Sequence, residues 1–368
     1  MADWRDQLAV PRASFIPPVV WVDDPGTGEF VSLSRDDDES RWRQLVTADE
    51  PIITQVDDGA TAPGQRGLRP TSSCSQPSLV AAMLTALDVR DGDRVLEIGT
   101  GTGWNAALLS ARVGEHGHVV SVEVDPTVAE DARHALAATG FHPLVVTGDG
   151  TVGYPPEVPY DRVICTASVR AIPPAWIEQT RPGGVIVTPW GTDYGDDALT
   201  RLEVRQDRTA VGRFGTNVAF MRVRDQLREF IEPTDAELDA AETTRTARGG
   251  RELFEMVSYD QAAFTIALRV PACYPTVEDL DDDHRRIELH DVASRSWARL
   301  DLVRREHPWT VRQFGPRRLW DEVDAAYRWW RDAGGPAPDR YTLTVGPDGT
   351  HTVSLDAGYG QHHWTLPG

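Results

Sequence analysis

The 368-residue chain contains no lysine: all 37 of its basic side chains are arginine, set against 57 acidic ones, for a net charge of −20. Without an ε-amine, Schiff-base chemistry, lysine-anchored pyridoxal phosphate and a Walker-type phosphate loop are excluded. The shortage of positive charge also argues against a general nucleic-acid or anionic-membrane binder, whose partners are held chiefly by basic surfaces. Cysteine is scarce too. Cys74, Cys165 and Cys273 are odd in number and widely spaced, so neither a disulfide framework nor a thiolate zinc site is expected. His116 and His118, or His362 and His363, have no acidic or Cys partner at ligand spacing; they read as solvated loop histidines, and no metal is expected. No apolar run approaches the ~18 residues needed to cross a bilayer, and the first residues lack a basic stretch followed by an apolar one. The expectation is a cytoplasmic protein with no membrane and no nucleic-acid partner.

What is present suggests two domains by length and an ordinary hydrophobic content of 40%. Residues 1–70, rich in Pro, Asp and Gly, read as short strands and loops covering something else. From 71 to 224 lies the core: apolar strand-like runs alternate with helical patterns, the signature of βαβ units and a parallel sheet. Strands are expected at 94–98, 119–124, 144–147, 162–165 and 184–188, buried on both faces, and helices at 104–113 and 127–139. Residues 225–368 read as an α+β module. Its expected elements are helical spacing over 233–258, mixed strands over 262–303, and an amphipathic helix at 317–333 with Leu319, Trp320, Val323, Tyr327 and Trp330 on one face. A hairpin of 341–345 with 350–355 closes it. The acidic runs at 36–39 and 278–283 read as solvated faces.

The chemistry centres on Glu97-Ile98-Gly99-Thr100-Gly101-Thr102-Gly103, which follows a strand and opens a helix. Such glycines permit a tight turn and bring a ligand against bare backbone at a helix start. The loop alone leaves two ligands open. Gly101-Thr102-Gly103-Trp104-Asn105-Ala106, with Glu123 about 20 residues on, also satisfies a dinucleotide fingerprint. Three features point instead to S-adenosylmethionine (SAM). Glu97 in the loop's mouth would repel a pyrophosphate but suits a sulfonium and an ammonium. Asp149 in Gly148-Asp149-Gly150 can accept from an adenine amino group. Cys165-Thr166-Ala167 leaves room above the sheet for a substrate.

These residues resemble the protein-L-isoaspartate O-methyltransferases. Ser73-Cys74-Ser75-Gln76-Pro77-Ser78-Leu79 looks like the family's Thr-Ile-Ser-x-Pro-x-Met motif. Val95 to Trp104, Gly148 to Gly153, Pro159-Tyr160-Asp161 and Ile172-Pro173-Pro174 to Gly184 follow in the family's order. The resemblance covers 71–192 well and 1–70 loosely, and implies a Rossmann-like α/β methyltransferase fold. It implies SAM contacts from Ser73, Glu97, Gly99, Gly101, Gly103, Glu123, Asp149 and Gly150, and a contact from Ser75 to the methyl-accepting carboxylate. The local pattern agrees: Pro77 suits a helix's first turn, and Val80, Met83, Leu84 and Leu87 then share a face. Ser75 therefore stands at a helix start, where an anion is favoured; simple capping by Ser72, Ser73 and Ser75 is the other reading.

Two features depart from the ordinary repair enzymes of that family: Ser78 replaces the usual His after Pro, and the chain runs about 140 residues past the usual end. Longer relatives include enzymes that methylate a chosen Asp of a ribosomally made peptide, which then closes to an aspartimide. The expected function is that of such a tailoring enzyme, with residues 225–368 capturing the peptide. General isoaspartyl repair is the alternative, and a non-catalytic SAM-binding scaffold a second. In either catalytic case the partner is a peptide or protein carrying Asp or isoAsp.

Overall fold

The computed structural model describes residues 8–195, 197–227, 232–258, 261–356, 358 and 362–366. By compactness the chain divides into two units: 1–167 with 173–188 and 201–210, and 168–172 with 189–200 and 211–368.

The first unit opens with strands β1 (Val19–Asp24) and β2 (Glu29–Ser34), helix α1 (Glu39–Thr47), and strands β3 (Ile52–Val56), β4 (Arg66–Gly67) and β5 (Pro70–Cys74). The strands form one antiparallel sheet in the order β4-β2-β1-β3-β5. Helix α1 was not legible as such. Part of the acidic run expected to be a solvated face is its start: the Asp38 carboxylate accepts from Arg41 N at 2.9 Å, and Glu39 lies in the first turn, where negative charge offsets the helix dipole.

Helix α2 (Pro77–Leu87) buries Val80, Met83, Leu84 and Leu87, as its spacing predicts. Then come β6 (Arg94–Ile98), α3 (Trp104–Val113), β7 (His118–Glu123), α4 (Pro126–Ala138), β8 (Leu144–Thr147), β9 (Tyr160–Cys165), α5 (Pro174–Gln179) and β10 (Thr180–Trp190). All the expected strands and helices of this region are there, several displaced or lengthened by one to four residues. β8, β7, β6, β9 and β10 are adjacent in that order and all parallel. Strand order reverses at β6, between β7 and β9, the place where an open α/β sheet forms a crevice at its carboxyl end. β8 corrects one expectation. It is an edge strand, so Leu144 is exposed and Val145 and Val146 are only half-buried. His118, expected in a loop, opens β7.

The chain passes through β11 (Asp197–Val204) and β12 (Ala210–Val218) into the remainder of the second unit. There α6 (Asp235–Asp239), β13 (Glu242–Thr246) and α7 (Gly250–Val257) replace the continuous helical spacing expected over 233–258. The Thr-rich, β-branched run 242–246 pairs with a neighbouring strand instead. α8 (Gln261–Arg269) precedes the strands and corrects the start of the 262–303 reading. The strands themselves are β14 (Tyr274–Asp281), β15 (His284–Asp291), β16 (Ser296–Val303) and β17 (Trp309–Phe314). They form an antiparallel sheet ordered β13-β17-β16-β15-β14. On it pack α7, α8 and α9 (Leu319–Asp332), burying Leu253, Met256, Ile266, Leu289, Leu300, Val311, Val323 and Tyr327 in one core. β18 (Tyr341–Val345) and β19 (His351–Leu355) make the expected hairpin, which β20 (His363–Leu366) extends. Among the described residues no helix is long and apolar enough to cross a membrane, and no cluster of three His, Cys, Asp or Glu side chains could hold a metal.

Candidate active site

The glycine loop leaves β6 at the sheet's switch point. Gly99 N donates to Val122 O at 2.8 Å, tying the turn to β7. Gly99 has φ +89°, and a Cβ there would stand 2.7 Å from Thr166 Oγ1 on the loop after β9. Thr166 Oγ1 donates back to Gly99 O. Only glycine satisfies both the backbone angle and the close approach. Gly101 lies beside the N-terminal sheet: a Cβ there would be 3.3 Å from the carbonyl of Ser73 on β5. Gly103 is the N-cap of α3.

Below the loop is a buried acid. Glu97 is 0% exposed. Asn105 Nδ2 donates to its Oε1 at 2.7 Å, and the Ser121 hydroxyl donates to its Oε2. With its proton committed to Glu97, Ser121 accepts from Thr100 Oγ1 at 2.6 Å. Burial raises the Glu97 pKa to about 7 against the pull of these two hydrogen bonds, and the neighbouring Glu123 charge adds to the rise. Asn105 Oδ1 is buried and has no hydrogen-bond partner among the described residues. A half-ionised carboxylate beside an unpaired acceptor calls for a cationic donor.

Glu123, at the end of β7 and 8% exposed, stitches the loop. Its Oε2 accepts from Gly101 N at 2.9 Å and its Oε1 from Asp125 N at 3.1 Å. Each oxygen keeps a second lone pair. Asp149 caps a short 3-10 turn, accepting from Thr151 N at 2.8 Å and Thr151 Oγ1 at 2.7 Å. Gly150 packs on the end of β6, where a Cβ would meet Ile98 Cγ2 at 2.4 Å, and its carbonyl accepts from Trp176 Nε1. The structure thus gathers Ser73, Glu97, Gly99, Gly101, Gly103, Glu123, Asp149 and Gly150 about the carboxyl ends of β6, β7 and β8.

Ser75 lies in the turn between β5 and α2 and is half-buried. Two features here were not legible in the sequence. The α2 N-cap is Gln76, which makes no side-chain cap; the carboxylate of Asp49 instead accepts from Ser78 N at 2.8 Å. Capping at this helix start therefore comes from Asp49, not from Ser72, Ser73 or Ser75. The turn is also gripped from behind by Arg12, 7% exposed, which donates to Cys74 O at 2.9 Å, Ser75 O at 3.0 Å, Glu50 O at 2.8 Å and Ala48 O at 3.3 Å. Arg12 also lies 5.6 Å from the ring centre of Trp104, whose Nε1 donates to Val10 O. The N-terminal segment thereby joins the Ser75 turn to the first residue of α3. Of these, Asn105 and Ser121 had a faint sequence signal, a polar residue within an apolar helix and an apolar strand; Arg12 and Asp49 had none.

Residues 62–228 match the family described as protein-L-isoaspartate(D-aspartate) O-methyltransferase (PCMT). Among curated relatives, the protein-L-isoaspartate O-methyltransferase of Pyrococcus horikoshii is 35% identical over 184 residues, which is 50% of this chain and 76% of that one. The protein of the same name from Staphylothermus marinus is 35% identical over 198 residues, 52% of this chain and 72% of that one. That from Ignicoccus hospitalis is 43% identical over 129 residues, 35% of this chain and 61% of its own. For several of the relatives the chain spans between about half and three-fifths of their length. A solved structure described as protein-L-isoaspartate O-methyltransferase shares the fold over 96% of this chain and 95% of that one, with TM-score 0.51 and 21% identity.

The fold is that of the SAM-dependent methyltransferases. The chain belongs to the protein-L-isoaspartate O-methyltransferase family.

Proposed function

We propose that this chain transfers a methyl group from SAM to the free carboxylate of an isoaspartyl residue in a protein or peptide. The observation that carries the reading is the buried Glu97 with the unpartnered Asn105 Oδ1 beneath the glycine loop, a donor-seeking pair matched to the ammonium of an amino-acid tail. The remaining lone pairs of Glu123 suit ribose hydroxyls, and those of Asp149 an adenine amino group. Ser73, Gly99, Gly101, Gly103 and Gly150 let a ligand lie along bare backbone. SAM when bound supplies an electrophilic methyl on a sulfonium.

The chain's own part in the reaction is positioning. An isoaspartyl carboxylate is already ionised at neutral pH, so it needs no general base. Ser75 donates its hydroxyl to that carboxylate, replacing one bond of its water shell and aiming an oxygen at the methyl. Because Asp49 occupies Ser78 N, the hydroxyl, rather than that amide, is the assigned contact. Methylation turns the carboxylate into an ester with a methoxy leaving group, and the adjoining backbone amide nitrogen can then attack the ester carbonyl, expelling methanol and closing to a succinimide.

The relatives favour this isoaspartyl reading over the tailoring one. Tailoring of a chosen Asp in a ribosomally made peptide is kept as a second reading on one observation: the second unit has a sheet and core of its own, more than the transfer chemistry needs, and capture of a peptide by residues 225–368 would employ it. Incubation with methyl-labelled SAM and two otherwise identical peptides, one isoaspartyl and one aspartyl, tests both. Base-labile label on the isoaspartyl peptide supports the first reading, and label on one Asp peptide only supports tailoring. Label on neither, with SAM still bound, leaves the scaffold reading.

A further inference from the structure

Arginines of the second unit that lie against its core have carboxylate partners. Arg222 reaches Asp197, Arg248 reaches Asp324 and Glu252, Arg299 reaches Glu288, and Arg317 reaches Asp291 and Glu322. Arg269, the last residue of α8, differs. Its guanidinium carbon sits 4.4 Å from the ring centre of Trp329 and 5.7 Å from that of Trp364. Trp329 and Trp364 meet edge to face at 5.5 Å, and the His362 ring stacks on Trp364. Among the described residues Arg269 has neither an ion pair nor a hydrogen bond, and its Nε–H is buried without an acceptor.

We propose that Arg269, backed by the indoles of Trp329 and Trp364, is a binding site for one carboxylate of a peptide. Guanidinium is the side chain suited both to stacking on aromatic faces and to a bidentate grip on a carboxylate. Stacking satisfies its faces and leaves its edge donors unmet. Burial lowers its pKa, so an anion brought to it offsets a desolvation cost. The ligand is a monoanion on charge grounds. Among the described residues the other arginines of the neighbouring elements are committed, Arg328 to Asp324 and both Arg213 and Arg340 to Asp356, so this place offers a single guanidinium, in a chain of net −20, too little for a phosphate dianion. The ring edges of Trp329, Trp364 and His362 offer apolar contact to the residues flanking such a carboxylate.

This rests on the reading that the second unit captures a peptide, and binding can be measured apart from methyl transfer. The full chain is titrated by calorimetry with acetyl-Ala-Glu-Ala-amide, acetyl-Ala-Gln-Ala-amide, acetyl-Ala-Gln-Ala with a free terminal carboxylate, and inorganic phosphate. At least one carboxylate peptide is expected to bind about tenfold more tightly than the neutral one, and which one does tells a side-chain from a terminal carboxylate. The preference disappears in Arg269→Gln and is partly kept in Arg269→Lys. Equal binding of the charged and neutral peptides to the unaltered protein overturns the proposal without any variant. So does an undiminished preference in folded Arg269→Gln, or tighter binding of phosphate than of either carboxylate. Failure of the methyltransferase reading shows separately, as absence of label on an isoaspartyl peptide while the carboxylate preference persists.

Discussion

Arg12 donates a hydrogen bond to the carbonyl of Ser75, 63 residues along the chain, at 3.0 Å. The same guanidinium holds the carbonyls of Cys74, Glu50 and Ala48, so the shape of the Ser75 turn depends on a residue of the N-terminal segment. Arg12→Gln leaves several buried carbonyls without donors and is expected to destabilise the protein by roughly 2–4 kcal/mol. In the fraction that stays folded, turnover should fall about tenfold through misplacement of Ser75 while SAM affinity holds. Urea unfolding and separate kcat and SAM-binding measurements check this; a matching loss of SAM affinity would move Arg12's influence to the glycine loop through Trp104.

Ser75→Ala removes a donor from the proposed carboxylate site and leaves the turn's backbone bonds to Arg12 in place. Turnover should drop ~10- to 100-fold with SAM affinity within about twofold. Equal loss of both in steady-state kinetics and calorimetry would assign Ser75 to the cofactor.

Glu97 sets a pH dependence. Its pKa is raised to about 7 by burial, above the value of the unfolded chain, so the native state binds the extra proton between roughly pH 4.5 and 7. Its contribution to stability is fully present below the lower value and is lost as pH rises through 7. Compared with Glu97→Gln, the native chain should therefore lose on the order of 3 kcal/mol from pH 4.5 to 8. SAM affinity runs the other way, rising with pH as Glu97 ionises, and Glu97→Gln should flatten that rise. Thermal melts and SAM titrations of both proteins between pH 5 and 8 test the pair of slopes.

Gly99→Ala meets two separate obstacles, the positive φ and the 2.7 Å approach of Thr166 Oγ1. The single substitution should destabilise by roughly 1–3 kcal/mol and weaken SAM binding. Adding Thr166→Ala relieves the clash but not the backbone strain, so only partial recovery of the melting temperature is expected.

Deletion of 225–368 cuts through the second unit, because that unit's core includes Tyr194, whose hydroxyl donates to Met256 O at 2.9 Å. Trp190 and Phe214 lose Phe264 from their aromatic chain as well. The truncated chain should aggregate or melt at lower temperature, seen by light scattering and calorimetry. A soluble 1–224 fragment with unchanged melting would show that these side chains tolerate exposure.

Much of the first unit could be read directly. β6, α3 and β8 lie where their apolar runs place them, and the glycine loop's position between a strand and a helix is a local pattern of seven residues. The second unit was less legible. A β-branched run inside polar helical spacing proved to be β13, and α8 looked like strand because buried apolar helices and strands share a composition. At the site, every residue expected to touch SAM lies near the strand ends, yet the partners that set its electrostatics come from elsewhere. Ser121 and Asn105 reach Glu97 across 24 and 8 residues, and Asp49 reaches Ser78 across 29.

Sequence alone determined the class of fold, the place of the glycine loop between a strand and a helix, and the exclusion of lysine chemistry, because each follows from neighbouring residues or from composition. Only the tertiary structure decided that Glu97 is a buried acid with a pKa near 7, that Asp49 rather than a serine caps α2, that Arg12 shapes the Ser75 turn, and that Arg269 stands against two indoles with no counter-ion among the described residues. Those are matters of desolvation and of contacts between distant segments. Charge, burial and pairing belong to the folded surroundings of a residue, and no local pattern records them.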